Sequence, residues 1–382
     1  MIFGLRDYST YINTVMNGTK KLLVLVMIGL TMHSEHTFSQ VTYYDFDSLL
    51  QSNPQFQPLM KMVMDTFQIF GPEEPLEFTV ATDLRALSKN KHKDEYQEAQ
   101  VIYSLWDSIN ISREIRIKPR GVFRLDNCSN PPLWVNVKKT EEVFELLDGL
   151  KKMKLVIPCR GQSQYQGFIF NEYLAYKLYN IITDYSFKVR LIKVNYYDTG
   201  EKVKPGSAYT FIMETEKSLA ARKESIPLKS ERISAKSLDE EYAAILYIFQ
   251  YMIGNTDWSV PGLHNMKLLK TTDVSRPRPI PVTYDFDYCG LVDAPYAIPG
   301  DHVDIEDVTE RAYMGYCLPD EFMDKAFDLF IEKEAEMMAV VREFSLMTDK
   351  SKKRPLSYLE DFYDIIKDPK RRDSRIIKNC LN

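Results

Sequence analysis

The chain has 382 residues, enough for one two-lobed domain or two medium ones, and 45% of them are hydrophobic, the proportion of a packed globular protein. Aromatic residues make up 12%, which argues against disorder. Acidic residues outnumber basic ones, 54 to 49, for a net charge of −5, which excludes the basic surface of a general nucleic-acid binder.

Near the N-terminus, Lys20-Lys21 precede an apolar run from Leu22 to Met32, 11 residues long and too short to span a bilayer as an ordinary helix. With the small residues Thr37 and Ser39 behind it, the run predicts a secretory signal peptide at 1–40, cleaved near Gln40. The expected location is then periplasmic or extracellular, with no membrane span once the leader is removed. A buried N-terminal helix is the other reading, and Met16 is an alternative start. Export permits disulfides. The five cysteines are Cys128, Cys159, Cys289, Cys317 and Cys380, so at least one thiol stays free or pairs between molecules. No C-x-x-C pair supports a zinc site. Cys128 and Cys159 flank two predicted strands and either bridge them or stay as buried thiols.

Residues 41–74 read as a helical extension, with Leu49, Leu50, Leu59, Met60, Met62, Val63 and Phe67 at roughly helical spacing and Gly71-Pro72 ending it. From about 75 the pattern alternates, at Leu76–Val80, Ile115–Lys118 and Leu133–Val137, predicting a mainly antiparallel β-rich lobe with a polar loop at Ser88–Lys93. Helices are expected at 140–149 and 168–184, then strands at 187–196 and 208–214. Ser237 with Glu240 three residues on reads as a capping box. The helix that follows, Leu238 to Ile253, is apolar nearly all round and so predicted buried, and Gly254 ends it. Residues 305–380 read as helices separated by Pro319 and Pro355. The predicted class is α+β and bilobal, with a β-rich lobe at 75–214 and a helical lobe at 215–382.

Two constellations carry chemistry. The first is Asn255-Thr-Asp257-Trp258 followed by Leu263-His-Asn265-Met266. An Asp and an Asn on one loop supply the hard oxygens that Mg2+ prefers, or the Asp positions a hydroxyl nucleophile. The second is Tyr284-Asp285-Phe286-Asp287 after a Pro-containing apolar strand. Alternation would put both carboxylates on one face, where a cation relieves their repulsion. Capping and turn formation are the plain structural readings of both.

The Asn-x-Asp-Trp loop, the downstream His-Asn and the Asp-Phe-Asp resemble the CotH family of atypical kinases, of the exported Bacteroidetes type. Other segments follow in the family's order over roughly residues 75–300: Arg116 to Gly121, Lys154-Leu-Val156 through Glu172-Tyr-Leu-Ala-Tyr176, and Tyr209 to Glu214. The resemblance implies a bilobal protein-kinase-like fold that uses ATP and Mg2+ or Mn2+ to phosphorylate a protein hydroxyl. It implies Asp257 as the catalytic or metal-binding acid, Asn265 as a metal ligand, and Asp285 or Asp287 as the metal-binding aspartate. It places Glu214 near the adenine or ribose. His264 either contacts phosphate or is structural.

One departure stands out. Where the family carries a lysine to pair with phosphate, this chain reads Asn130-Pro-Pro-Leu-Trp-Val-Asn-Val137, with Trp134 at the place expected for the lysine. Lys118, Arg120, Lys138 or Lys154 must then supply the charge. If none does, the chain is a pseudokinase serving as a binding or scaffold protein of the cell envelope. A metal-dependent hydrolase is a third reading, for which more ligands would be needed. The expected partner is a protein substrate or an envelope component.

Overall fold

The computed structural model describes residues 70, 74–105, 109–121, 123–128, 130, 132–137, 152–161, 163–230, 232–300 and 302–382. The expected leader, nearly all of the helical extension, the helix at 140–149 and Lys138 lie outside the described residues.

The strand-rich part is a closed barrel of β1 (Leu76–Thr82), β2 (Gln97–Leu105), β3 (Ile109–Pro119), β4 (Leu133–Val137), β5 (Lys152–Val156), β6 (Val189–Asp198) and β7 (Gly206–Met213). Neighbours are antiparallel in the order β1-β2-β3-β4-β5-β7-β6, and a parallel β6–β1 pairing closes the ring. Alternation decides which side chains fill it. Phe78, Val80, Ile115, Val135, Val137 and Leu155 line the interior, so their odd-numbered or even-numbered neighbours face outward. On the outer face the register sets Lys118, Trp134 and Lys154 side by side on three adjacent strands.

Between the strands lie α1 (Leu84–Lys89) and α2 (Phe123–Asn127), and β5 leads to the long α3 (Ser163–Ile182). The expected polar loop at Ser88–Lys93 begins inside α1, because the Asp83 carboxylate caps that helix by accepting the Ala86 N–H. After β7 come α4 (Glu216–Arg222), β8 (Ser225–Pro227) and α5 (Glu240–Ile253). The cap of α5 is Asp239, whose carboxylate accepts the Tyr242 N–H, whereas Ser237 ends a short 3-10 turn. Asp239 outcompetes the serine because its carboxylate also pairs with Arg276. From Ala243 to Ile253 every residue of α5 is buried, as its all-round apolar character predicts, and Gly254 closes the helix in the left-handed region at φ 63°.

Strands β9 (Met266–Thr271) and β10 (Ile280–Thr283) form a hairpin extended by β8. From residue 320 on the chain is mainly helical: α6 (Asp320–Glu332), α7 (Glu334–Arg342), α8 (Asp349–Lys367) and α9 (Pro369–Arg375). Pro319 precedes α6 as expected, but Pro355 lies inside α8 and separates nothing. Its missing N–H removes one helical bond, a loss offset by the burial of Leu359, Phe362 and Ile366 on the same helix. Among the described residues no helix is long and apolar enough to cross a membrane.

Two disulfides form, Cys128–Cys159 and Cys317–Cys380, and Cys289 is a buried free thiol.

Candidate active site

The two polar constellations meet because their backbones are tied. The Gly290 N–H donates to the Gly254 carbonyl at 3.0 Å and the Leu291 N–H to the Ile253 carbonyl at 2.9 Å. Asn255 is a scaffold within this joint. Its amide donates to Gln250 Oε1 at 3.0 Å and its Oδ1 accepts the Asp257 N–H at 3.0 Å. Gln250 in turn donates to Thr283 Oγ1 at 2.5 Å. The Trp258 indole donates to the Asn255 carbonyl and stacks on Tyr247, so this tryptophan is core.

Asp257 points outward, 40% exposed, while its backbone is fixed. His264 Nε2 bonds Asp257 Oδ1 at 2.9 Å. The Asn265 amide nitrogen donates to Asp257 Oδ2 at 2.9 Å and to the Asp257 carbonyl at 2.7 Å. Asn265 reaches this position in the left-handed region, at φ 50°.

β10 ends at Thr283, so Asp285 and Asp287 do not belong to a strand and the alternation argument fails for them. Asp285 adopts φ 67° instead, and its N–H donates to the Tyr176 hydroxyl at 2.8 Å. A left-handed aspartate is strained, and such strain persists where neighbours over-determine it. Here Phe286 does so: it is fully buried, with ring centroids 4.5 Å from Tyr176 and 5.5 Å from Phe249. Asp287 Oδ2 accepts the Tyr296 hydroxyl at 3.0 Å and lies 3.9 Å from Arg124 Nη1. Burial, then the Asp285 charge, pushes the Asp287 carboxyl up to about 6. Glu172, buried in α3, is raised well above the ordinary carboxyl range by burial, then by Asp287 and Asp285.

Against these acids stand three cations laid over aromatic rings. Lys154 Nζ is 4.9 Å from the Tyr284 ring centroid, Lys267 Nζ is 5.5 Å from the same ring, and the Arg120 guanidinium is 4.9 Å from Trp134. None of the three forms an ion pair among the described residues. Burial lowers the Lys154 pKa, and the nearby Asp285 charge opposes that shift. Among the described residues these cations have no ion-pair partner, and Lys154 stands within electrostatic reach of Asp285. Among the described residues no group of three acidic, His or Cys side chains is close enough to hold a metal unaided. A divalent ion here would need outside oxygens, as a nucleotide phosphate provides.

Of the residues singled out in the sequence, Asp257, His264 and Asn265 form one hydrogen-bonded unit. Asp285, Asp287 and Lys154 form an electrostatic group beside it, since Asp257 also raises Asp287. Arg120 sits one step out, on Trp134. Lys118 is engaged elsewhere: its Nζ is 2.6 Å from Asp94 Oδ1 and 5.2 Å from the Tyr96 ring. Glu214 is held by Arg222 at 2.9 Å and accepts the Lys188 N–H at 3.1 Å. Four further residues enter from the structure: Lys267, Glu172, Arg124 and Tyr296. Glu172 carried a signal, an acid amid the apolar positions of a helix; the other three had none.

No protein-family model and no curated protein matches the chain. Among solved structures, the proinflammatory kinase CtkA of Helicobacter pylori is similar at a TM-score of 0.34 and 10% identity, over 64% of this chain and 88% of that one. A likeness at that level says nothing of what this chain does.

Proposed function

We propose that the chain is a kinase-like enzyme of two lobes that binds ATP with Mg2+ or Mn2+ and transfers the γ-phosphoryl group to a protein hydroxyl. The observation that carries this reading is Lys154, a cation without an ion pair among the described residues, on the Tyr284 ring directly beside Asp285. It supplies the phosphate-pairing charge that Trp134 leaves out, one strand over and in the same row.

The donor set fits a hard cation. Asp285, Asp287 and the Asn265 side-chain oxygen would hold it, and when bound it would neutralise phosphate charge. The chain's own residues do the rest. Lys154, aided by Lys267 and Arg120, orients the phosphates. Asp257 accepts the acceptor hydroxyl's proton as that oxygen bonds to the γ-phosphorus and the bond to the β-phosphate oxygen breaks, releasing ADP. His264 and Asn265 fix the Asp257 carboxylate for that task. Export is part of the proposal, supported by the two disulfides. The CotH resemblance of the sequence implies Asn265 as a metal ligand and Asp257 as the catalytic or metal-binding acid. A silent envelope scaffold is the alternative; its motive was Trp134, and Lys154 weakens it.

Thermal melting tests the reading. Saturating ATP or ADP with Mn2+ should raise Tm by several degrees, since a ligand at 100 times its Kd adds about 2.7 kcal/mol. No shift with either nucleotide, in Mg2+ or Mn2+, overturns it.

A further inference from the structure

Arg124 differs from the other cations of the cleft in being buried, 8% exposed, on the single turn of α2. Its Nη2 donates to the Ile157 carbonyl at 2.6 Å. Its Nη1 faces Asp287 Oδ2 at 3.9 Å, and its guanidinium lies 5.6 Å from the centroid of Tyr296, whose hydroxyl donates to that same oxygen. Its Nε is buried without a hydrogen-bond partner among the described residues. A buried guanidinium with an unsatisfied N–H is an expensive way to stabilise a fold, and such groups call for another explanation.

The Cys128–Cys159 disulfide explains how it is kept there. Cys128 follows α2, and its N–H donates to the Arg124 carbonyl at 3.0 Å. Cys159 lies two residues beyond Ile157, the acceptor of the guanidinium, and its carbonyl accepts the Asn130 N–H at 3.0 Å. One covalent bond thus ties the segment that carries Arg124 to the segment that receives it. Tyr296 packs against the same disulfide together with Tyr165.

We propose that Arg124 is a positioning residue of the cleft: with the Tyr296 hydroxyl it fixes the Asp287 carboxylate beside Asp285, and the Cys128–Cys159 disulfide fixes Arg124. This rests on the reading of the cleft as a metal–nucleotide site. The dependence of the effect on metal separates positioning from simple electrostatics. A cation beside the site repels the metal and attracts phosphate, so loss of its charge alone would weaken nucleotide binding without metal and would not diminish the gain in affinity that Mn2+ adds. Loss of a residue that orients a metal-binding carboxylate diminishes that gain, by 10-fold or more in characterised metal sites.

The test is calorimetric titration of the full-length chain with a non-hydrolysable ATP analogue, with and without Mn2+. Arg124→Gln should cut the Mn2+-dependent gain in affinity about 10-fold, and in Arg124→Lys, which keeps the charge and most of the reach, the gain should stay within about 3-fold of wild type. The Cys128→Ser/Cys159→Ser pair should cut the gain in the same direction, and adding it to Arg124→Gln should give less than the product of the two effects, because both act through one contact. An unchanged or larger Mn2+-dependent gain in Arg124→Gln overturns the inference. If that variant does not fold, the disulfide-free pair decides: a wild-type gain in it overturns the inference equally. No binding by the wild type removes the functional reading and this inference with it, whereas wild-type binding that is indifferent to Arg124 and the disulfide removes the inference alone.

Discussion

Lys154 lies over the ring of Tyr284 at 4.9 Å, one residue before Asp285. That contact joins an outward position of β5 to the end of the β9–β10 hairpin, and so joins the barrel to the acidic loop. Trp134 on β4 and Lys154 on β5 are register partners, so a cation stands one strand over from the tryptophan, where the proposed function uses it.

Lys154→Met should therefore weaken binding of an ATP–Mn2+ complex about 10- to 100-fold, or roughly 1.4 to 2.8 kcal/mol. Lys118→Met, which removes a cation already spent on Asp94, should change the affinity less than 2-fold or so by the weakness of exposed ion pairs. Fluorescence or calorimetric titration of the two variants measures both. Equal losses would show that Lys154 is not the phosphate contact.

Asp257 and Asp285 should separate into two phenotypes. Asp257→Asn removes the proposed proton acceptor and should lower turnover by roughly 10^2 to 10^4, while the nucleotide-induced rise in Tm survives. Asp285→Asn should abolish both. Autophosphorylation or phosphorylation of a model protein, run beside thermal melting, reports the split. Full activity in Asp257→Asn would rule out its assigned role.

Asp287 makes stability depend on pH in a definite direction. Its folded-state pKa is raised to about 6 by burial and by Asp285. A group raised on folding stabilises the fold fully below its unfolded pKa, near 4, and that contribution is lost as pH rises through the folded value. The stability of the metal-free wild type, measured relative to Asp287→Asn, should fall by on the order of 2 kcal/mol between about pH 4 and 7. Over the same window the stabilisation gained from Mn2+ with nucleotide should grow, because the ion needs ionised oxygens. A constant wild-type-minus-variant difference in urea unfolding would contradict the placement of Asp287.

Gly290 tests the joint between the two constellations. A Cβ there would collide with the Tyr358 hydroxyl and crowd the Val308 carbonyl, as one at Gly254 would collide with the same hydroxyl. Gly254 also needs φ 63°, a region costly for any residue with a side chain. Gly290→Ala should cost about 2 to 4 kcal/mol by overpacking and lower both Tm and nucleotide affinity. A variant as stable as the wild type would mean that the joint is loose.

How much of this was legible in the sequence depends on range. The alternation of Leu133–Val137 and the all-round apolar face of Ala243–Ile253 report local periodicity, and both elements form where periodicity puts them. Asp239 displaced Ser237 as the helix cap because Arg276, 37 residues away, holds its carboxylate, and no local rule sees that partner. Asp257, Asn265, Asp285 and Asp287 were legible as polar residues clustered at the ends of apolar elements. The nearness of Asp285 and Asp287 was expected from strand alternation, but it comes from a left-handed backbone instead of a continued strand. Closure of the barrel through β1 and β6 was equally hidden, for it pairs residues more than 100 positions apart, as Phe78 with Val194. Arg124 shows the same limit: its partners at Ile157 and Asp287 are distant in sequence, and nothing around it marks it as part of the cleft.

The most direct measurement of the central claim is a crystal structure of the protein with Mn2+ and a non-hydrolysable ATP analogue, with the metal located by its anomalous signal. The account predicts a manganese peak on Asp285 and Asn265, completed by phosphate oxygens, with the Lys154 ammonium on the phosphates. A nucleotide bound elsewhere, or a phosphate chain held in this cleft without Lys154 and without metal on Asp285, would contradict it.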